Sequence, residues 1–153
     1  MPVARRVAEE AIAERLDFAF ETTLGGNTIP RLLAEAAAQG IEICVWYAGL
    51  SSPELNIQRV RSRVRQGGHP IPEQAIRRRF EHSRLNLIAL LPGLAALRVY
   101  DNSAEADLAA GKPPTLLPVL HMEHGRILNP NDLPRAPDWA KPIVAAALKL
   151  AMK

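Results

Sequence analysis

The sequence predicts an α/β fold: a parallel sheet flanked by helices, with a helical arginine-rich lid and a C-terminal β-hairpin and helix. Three observations predict it. Short apolar runs alternate with stretches of helical periodicity, the pattern that builds parallel strands joined by right-handed crossovers. Residues 41–47 hold Ile, Ile, Cys, Val, Trp and Tyr with a single acid, as a strand covered on both faces does. Arginine is concentrated between Arg59 and Arg84, where the chain reads as two helices joined by Gly67-Gly68.

A length of 153 residues fits one domain. Residues 1–110 read as its core, with the lid at about 53–91, and residues 111–153 as the hairpin and terminal helix. Apolar residues at 48% and charged residues at 23% exclude a disordered chain. The one cysteine, Cys44, excludes an internal disulfide and fits a reducing compartment. It falls inside the apolar run and is expected to be a buried strand residue. No run of 18 apolar residues occurs, so no transmembrane helix and no membrane partner are expected. The first 16 residues do not read as a signal peptide. A cytoplasmic location is expected.

The elements follow in order. Val7, Ile12 and Leu16 recur near helical spacing and predict a helix over 4–16. Residues 18–23 predict a short strand running into Gly25-Gly26. Thr28 and Pro30 open a helix that stops at Gly40. After the strand at 41–47, Ser52-Pro53-Glu54 gives a cap, a first-turn proline and a first-turn acid for a helix reaching Gln66. Pro72-Glu73 starts the next helix, which ends near Leu91, before Pro92-Gly93. A third strand spans 97–101. Residues 115–123 and 126–128 form a hairpin about His124-Gly125, and Asp138-Trp139 opens the last helix. Trp46 and Trp139 are expected to be packing residues.

In an open parallel sheet, ligands sit beyond the carboxyl ends of the strands. Those ends here carry Glu21-Thr22-Thr23, Gly49-Leu50-Ser51-Ser52 and Asp101-Asn102-Ser103. Asx and Ser/Thr turns explain most such residues. Glu21 is harder to explain that way, because a carboxylate ending a strand rarely serves a turn. The second constellation is the arginine segment. It holds eight arginines (59, 61, 63, 65, 77, 78, 79 and 84) against Glu73 and Glu81, in a chain of net charge +3. The guanidinium fork suits phosphate or carboxylate, and two such helices on a Gly-Gly hinge can close over a polyphosphate. A solvated basic face is the plainer reading. His121-Met122-Glu123-His124 presents His121 and Glu123 on one strand face without a further ligand, so a hairpin turn and no metal are expected there.

These pieces carry a resemblance. Phe18-Ala-Phe-Glu-Thr-Thr-Leu-Gly-Gly, Ser52-Pro-Glu-Leu, the run from Arg59 to Glu73, Ile76-Arg-Arg-Arg-Phe and Val99-Tyr-Asp-Asn-Ser resemble, in order and spacing, the zeta-toxin family of P-loop kinases over roughly residues 4–130. The resemblance implies a partial P-loop kinase-like sheet, and ATP with Mg²⁺ transferring a phosphoryl group to a small-molecule substrate, in the best-known class a nucleotide-activated amino sugar. It implies that Glu21 and Thr22 face the substrate, and that Arg63, Arg65, Arg78 and Arg79 belong to the lid that holds the ATP phosphates. It places Asn102 near the adenine, and Pro53 and Gly67-Gly68-His69 where the lid is shaped.

The departure from the family is large. A Walker loop needs glycine, four residues, then Gly-Lys-Ser/Thr. The one Gly-Lys here is Gly111-Lys112, with Ala106 at the first glycine's place and Pro113 at the hydroxyl's. The family's catalytic Asp is absent from these residues too. The 153 residues alone are therefore expected to be inactive. The family's loop strand normally lies between the first two strands read here. Either those two pair directly, or an exposed seam invites self-association or a partner such as an antitoxin. The alternative is a non-catalytic protein- or anion-binding module. Nucleic acid binding ranks last, because no aromatic stacking platform accompanies the arginines.

Overall fold

The computed structural model describes residues 2–105, 110, 111, 113 and 115–153. Ala106 and Lys112, two of the positions compared with a Walker loop, lie outside the described residues. The helices are α1 (Pro2–Glu14), α2 (Thr28–Ala38), α3 (Pro53–Arg65), α4 (Glu73–Leu90) and α5 (Lys141–Ala151). The strands are β1 (Cys44–Gly49), β2 (Ala96–Asp101), β3 (Leu117–Glu123) and β4 (Arg126–Ile127), in sheet order β1-β2-β3-β4. Short 3-10 turns cover Leu91–Gly93, Pro130–Arg135 and Asp138–Ala140.

The sheet is mixed, not parallel. β1 and β2 run parallel, while β3 pairs antiparallel with both β2 and β4. The parallel part of the expectation thus reduces to one pair. Residues 18–23 form no strand; the segment has no regular secondary structure and is mostly exposed. Its Phe-Ala-Phe alternation suits a strand, but a strand exists only where a neighbour supplies the ladder of hydrogen bonds. Phe18 and Phe20 stack on each other instead, 5.6 Å between ring centroids.

Local chemistry explains the helix ends. The Ser52 hydroxyl accepts the amide of Leu55 at 3.2 Å and caps α3, with Pro53 in the first turn. α3 ends in a Schellman turn. Gly68 N–H donates to Arg63 C=O, Gly67 N–H donates to Val64 C=O, and Gly67 takes φ +94. α2 ends the same way, through Ile41 to Ala36 and Gly40 to Ala37, with Gly40 at φ +82. His124 and Gly125 both take positive φ, as the two-residue turn joining β3 to β4 requires.

Two apolar clusters fill the interior. The larger gathers Leu87, Leu90, Leu97, Val99, Leu120, Met122, Trp139 and Ile143 from α4, β2, β3, the 3-10 turn Asp138–Ala140 and α5. The smaller holds Ile57, Val60 and Ile76 between α3 and α4, with Val64 and Ile71 against it. α4 belongs to both. Pairing register puts Trp46, Arg98 and His121 in one row across the opposite sheet face. That face is open. Trp46 is 77% exposed and Cys44 is exposed, so neither is the packing residue expected. The apolar run at 41–47 is covered on one face, not two. Trp139, by contrast, is buried and packs in the main core.

Candidate functional site

A cleft of about 280 Å³ opens at the carboxyl end of β1. Tyr47, Gly49 and Leu50 form its floor, Asn56 and Arg63 come from α3, and Arg79, Ser83 and Arg84 from α4. Thr23 and Trp139 close the remaining sides. The spacing of Arg79 and Ser83, four apart on one helix, brings both to the same wall. Among the described residues the cleft walls hold three arginines and no carboxylate. Such a lining favours a multiply charged anion.

The eight arginines of the segment divide into two sets. Arg59 donates to the main-chain carbonyls of Asn102 at 2.7 Å and Ala104 at 3.1 Å, tying α3 to the end of β2. Arg61 pairs with Glu73, and Arg77 with Glu54. These two pairs cross between α3 and α4 in opposite directions and join the helices twice. Arg77 beside Glu54 holds that carboxyl below its ordinary range. Arg84 donates to Glu81 at 2.9 Å and to the Trp139 carbonyl at 3.1 Å, and its guanidinium lies over the Phe80 ring. Its buried Nε has no hydrogen-bond partner among the described residues. The side chains of Arg63, Arg65, Arg78 and Arg79 form no hydrogen bond or ion pair with any described residue. Two of these, Arg63 from α3 and Arg79 from α4, line the cleft. Arg65 lines a different, apolar groove of about 530 Å³, and Arg78 lines neither.

The polar floor is ordered. Tyr47 Oη and Ser83 Oγ are hydrogen-bonded at 3.0 Å, and Ser83 is buried. Burial pushes the Tyr47 phenol above its ordinary value, against the opposing effects of the Ser83 hydrogen bond and the Arg84 charge. Gly49 is bare because the Trp139 indole lies against it.

The other expected site residues lie at the same end of the sheet but outside the cleft. Asn102 donates its N–H to Gly49 C=O at 2.8 Å. The Thr22 hydroxyl accepts the Leu24 amide at 3.1 Å, which is turn chemistry. Glu21 is exposed and lines no part of the cleft; Thr23, two residues on, does. Asp101 accepts from Ser103 N–H and from the Trp139 indole N–H at 3.2 Å, so this strand end is also a closed turn. Arg84, Tyr47 and Ser83 were not among the expected site residues. Arg84 alone carried a signal, as the last arginine of the segment. His121 pairs with Glu123 at 3.1 Å while His124 occupies the turn. Among the described residues no group of three or more His, Cys, Asp or Glu is placed to hold a metal, and no helix is long and apolar enough to cross a membrane.

No family model and no solved structure matches the chain. An uncharacterized protein of Haemophilus influenzae is 34% identical to it over 70 residues, which is 46% of this chain and 50% of that protein. The matched segment thus spans about half the length of the curated relative.

Proposed function

We propose that this chain carries the phosphate-gripping part of a zeta-toxin-type, ATP-dependent small-molecule kinase. One observation carries the reading: Arg63 and Arg79, the two cleft arginines whose side chains have no partner among the described residues, come from two helices to line one cleft beyond the carboxyl end of β1. A pocket of about 280 Å³ sits just below the common range of small-molecule sites, roughly 300–1,000 Å³. It suits a phosphate tail, with the nucleoside lying outward toward Asn102 and the acceptor toward Glu21 and Thr22. The donors fit phosphate oxygens. Among the described residues no carboxylate lines the cleft, so Mg²⁺ would arrive on the phosphates.

Gripping phosphate is not transferring it. A Walker loop supplies backbone amides and a lysine for the phosphates and a hydroxyl for Mg²⁺, and none of the 153 residues forms that motif. The chain by itself binds ATP without turning it over. Calorimetric titration with Mg-ATP at physiological salt tests this. Saturable binding that weakens in Arg63→Ala and Arg79→Ala is the expected result; no heat of binding refutes the grip, and turnover of ATP refutes the inactivity.

A second reading rests on a different observation. Ile43 and Gly49 accept hydrogen bonds from the β2 side, and alternation along a strand then turns the N–H and C=O groups of Cys44, Trp46 and Ala48 to the other edge. Among the described residues no strand lies beside that edge, and residues 44–49 contain no charge or proline to protect it. It suits antiparallel pairing with a second copy about Trp46. Light scattering decides: a monomer at high concentration removes the reading.

A further inference from the structure

Resting on the phosphate reading of the cleft, we infer that Gly25 and Asn86 are positioning residues that set the direction of Arg79. A Cβ placed on Gly25 would lie 2.7 Å from Arg79 Cγ, 3.0 Å from its Cβ and 3.2 Å from its Cα. The bare glycine backbone therefore rests on the stem of this side chain. Gly25 has no positive φ to explain it; space alone does. Its neighbour Gly26 has nothing within 4 Å of the same position.

The loop that brings Gly25 there is fixed on every side. Asn86 Nδ2 donates to Leu24 C=O at 2.7 Å and to Gly26 C=O at 2.8 Å, bracketing the glycine. Asn86 stands seven residues after Arg79, two turns along the same face of α4, so one helix face holds both the clamp and the arginine. The hydroxyls of Thr22 and Thr23 accept the amides of Leu24 and Gly25. Leu24 takes φ +54, a conformation that disfavours leucine, while its side chain is buried in the main core. Burial and the Asn86 amide hold the strained turn in place.

An arginine side chain has four torsions, and a free one points at an anion for only part of the time. Contact along its first carbons narrows the rotamers open to Arg79, whose side chain lines the cleft together with that of Arg63. The arrangement preorganises a grip that would otherwise cost rotamer entropy on binding.

The test uses the full chain and inorganic tripolyphosphate as the probe. Gly25→Ala is compared with Gly26→Ala, and the Arg79 Nε–H resonance is followed by NMR with no ligand present. Gly25→Ala is expected to shift that resonance and to weaken tripolyphosphate binding roughly tenfold, while Gly26→Ala does neither. In the Arg79→Ala background, Gly25→Ala should have no further effect on affinity. Asn86→Ala, which frees the loop without crowding it, should reproduce both changes should Gly25→Ala fail to fold. An unmoved Arg79 resonance in the folded variants overturns the inference. If the unaltered chain ignores tripolyphosphate, the phosphate reading falls, and the resonance still decides whether Gly25 and Asn86 direct Arg79.

Discussion

Gly49 ends β1 directly beneath the Trp139 indole: a Cβ there would lie 2.2 Å from Cη2 and 2.3 Å from Cζ3 of the ring. The contact joins the cleft floor to the main core, because Trp139 is buried and its N–H donates to Asp101. Gly49→Ala must displace the indole. Overpacking of this kind costs about 1–3 kcal/mol. Urea denaturation should show a lower midpoint with an unchanged slope. A midpoint equal to that of the unaltered chain would show that the indole swings aside freely.

The division of the arginines predicts two classes of variant. Arg63→Ala and Arg79→Ala remove cleft donors that have no partner among the described residues and should each weaken ATP binding by roughly tenfold or more, at charge-assisted strength, with stability within about 0.5 kcal/mol. Arg61→Ala and Arg77→Ala break exposed, solvent-screened pairs and should leave affinity unchanged. Equal losses from all four, vanishing at high salt, would mean a diffuse basic face.

Tyr47 predicts an alkaline limit. The fold holds the phenolic proton more tightly than the unfolded chain does. Stability is therefore untouched by this group below about pH 10 and falls as pH rises through the raised value. Tyr47→Phe should flatten that fall, while leaving Ser83 buried without its partner at a cost of about 1 kcal/mol near neutrality. Denaturation curves from pH 8 to 11 compare the two, and parallel losses would refute the assignment.

Trp46 predicts association without a stability penalty. Its ring is largely in solvent and lies 6.0 Å from the Arg98 guanidinium. Trp46→Lys should change folding stability by no more than about 0.5 kcal/mol and abolish self-association in sedimentation at high concentration. Association that persists in the variant places the interface elsewhere.

What the sequence disclosed was local chemistry. Ser52-Pro53, Gly40, Gly67 and His124-Gly125 mark ends and turns through caps and backbone freedom within a few residues, and the structure has an element boundary or turn at each. What stayed hidden depends on distant neighbours. Phe18-Ala-Phe20 has a strand's composition and no strand beside it. The alternation of β1 is masked because Cys44 and Trp46, on the open face, are as apolar as Val45 and Tyr47 on the covered one. The four arginines named for the lid are the four that no described residue pairs, but only Glu54, Glu73, Glu81 and the end of β2, brought in by folding, separate them from the rest. Asn86 reads as one more polar residue on a basic helix until the Leu24-Gly26 turn docks on it.

The two apolar clusters give α3 a fate partly its own. Peeling α3 from α4 uncovers Ile57, Val60 and Ile76 and leaves the larger cluster intact, so this opening lies below global unfolding on the free-energy scale. An anion held by both Arg63 and Arg79 spans the parting surfaces and opposes that opening by mass action. Occupancy of the cleft is thereby recorded in the lifetime of a single helix, and amide exchange along α3 becomes a gauge of ligand concentration that the melting of the whole chain would register only faintly.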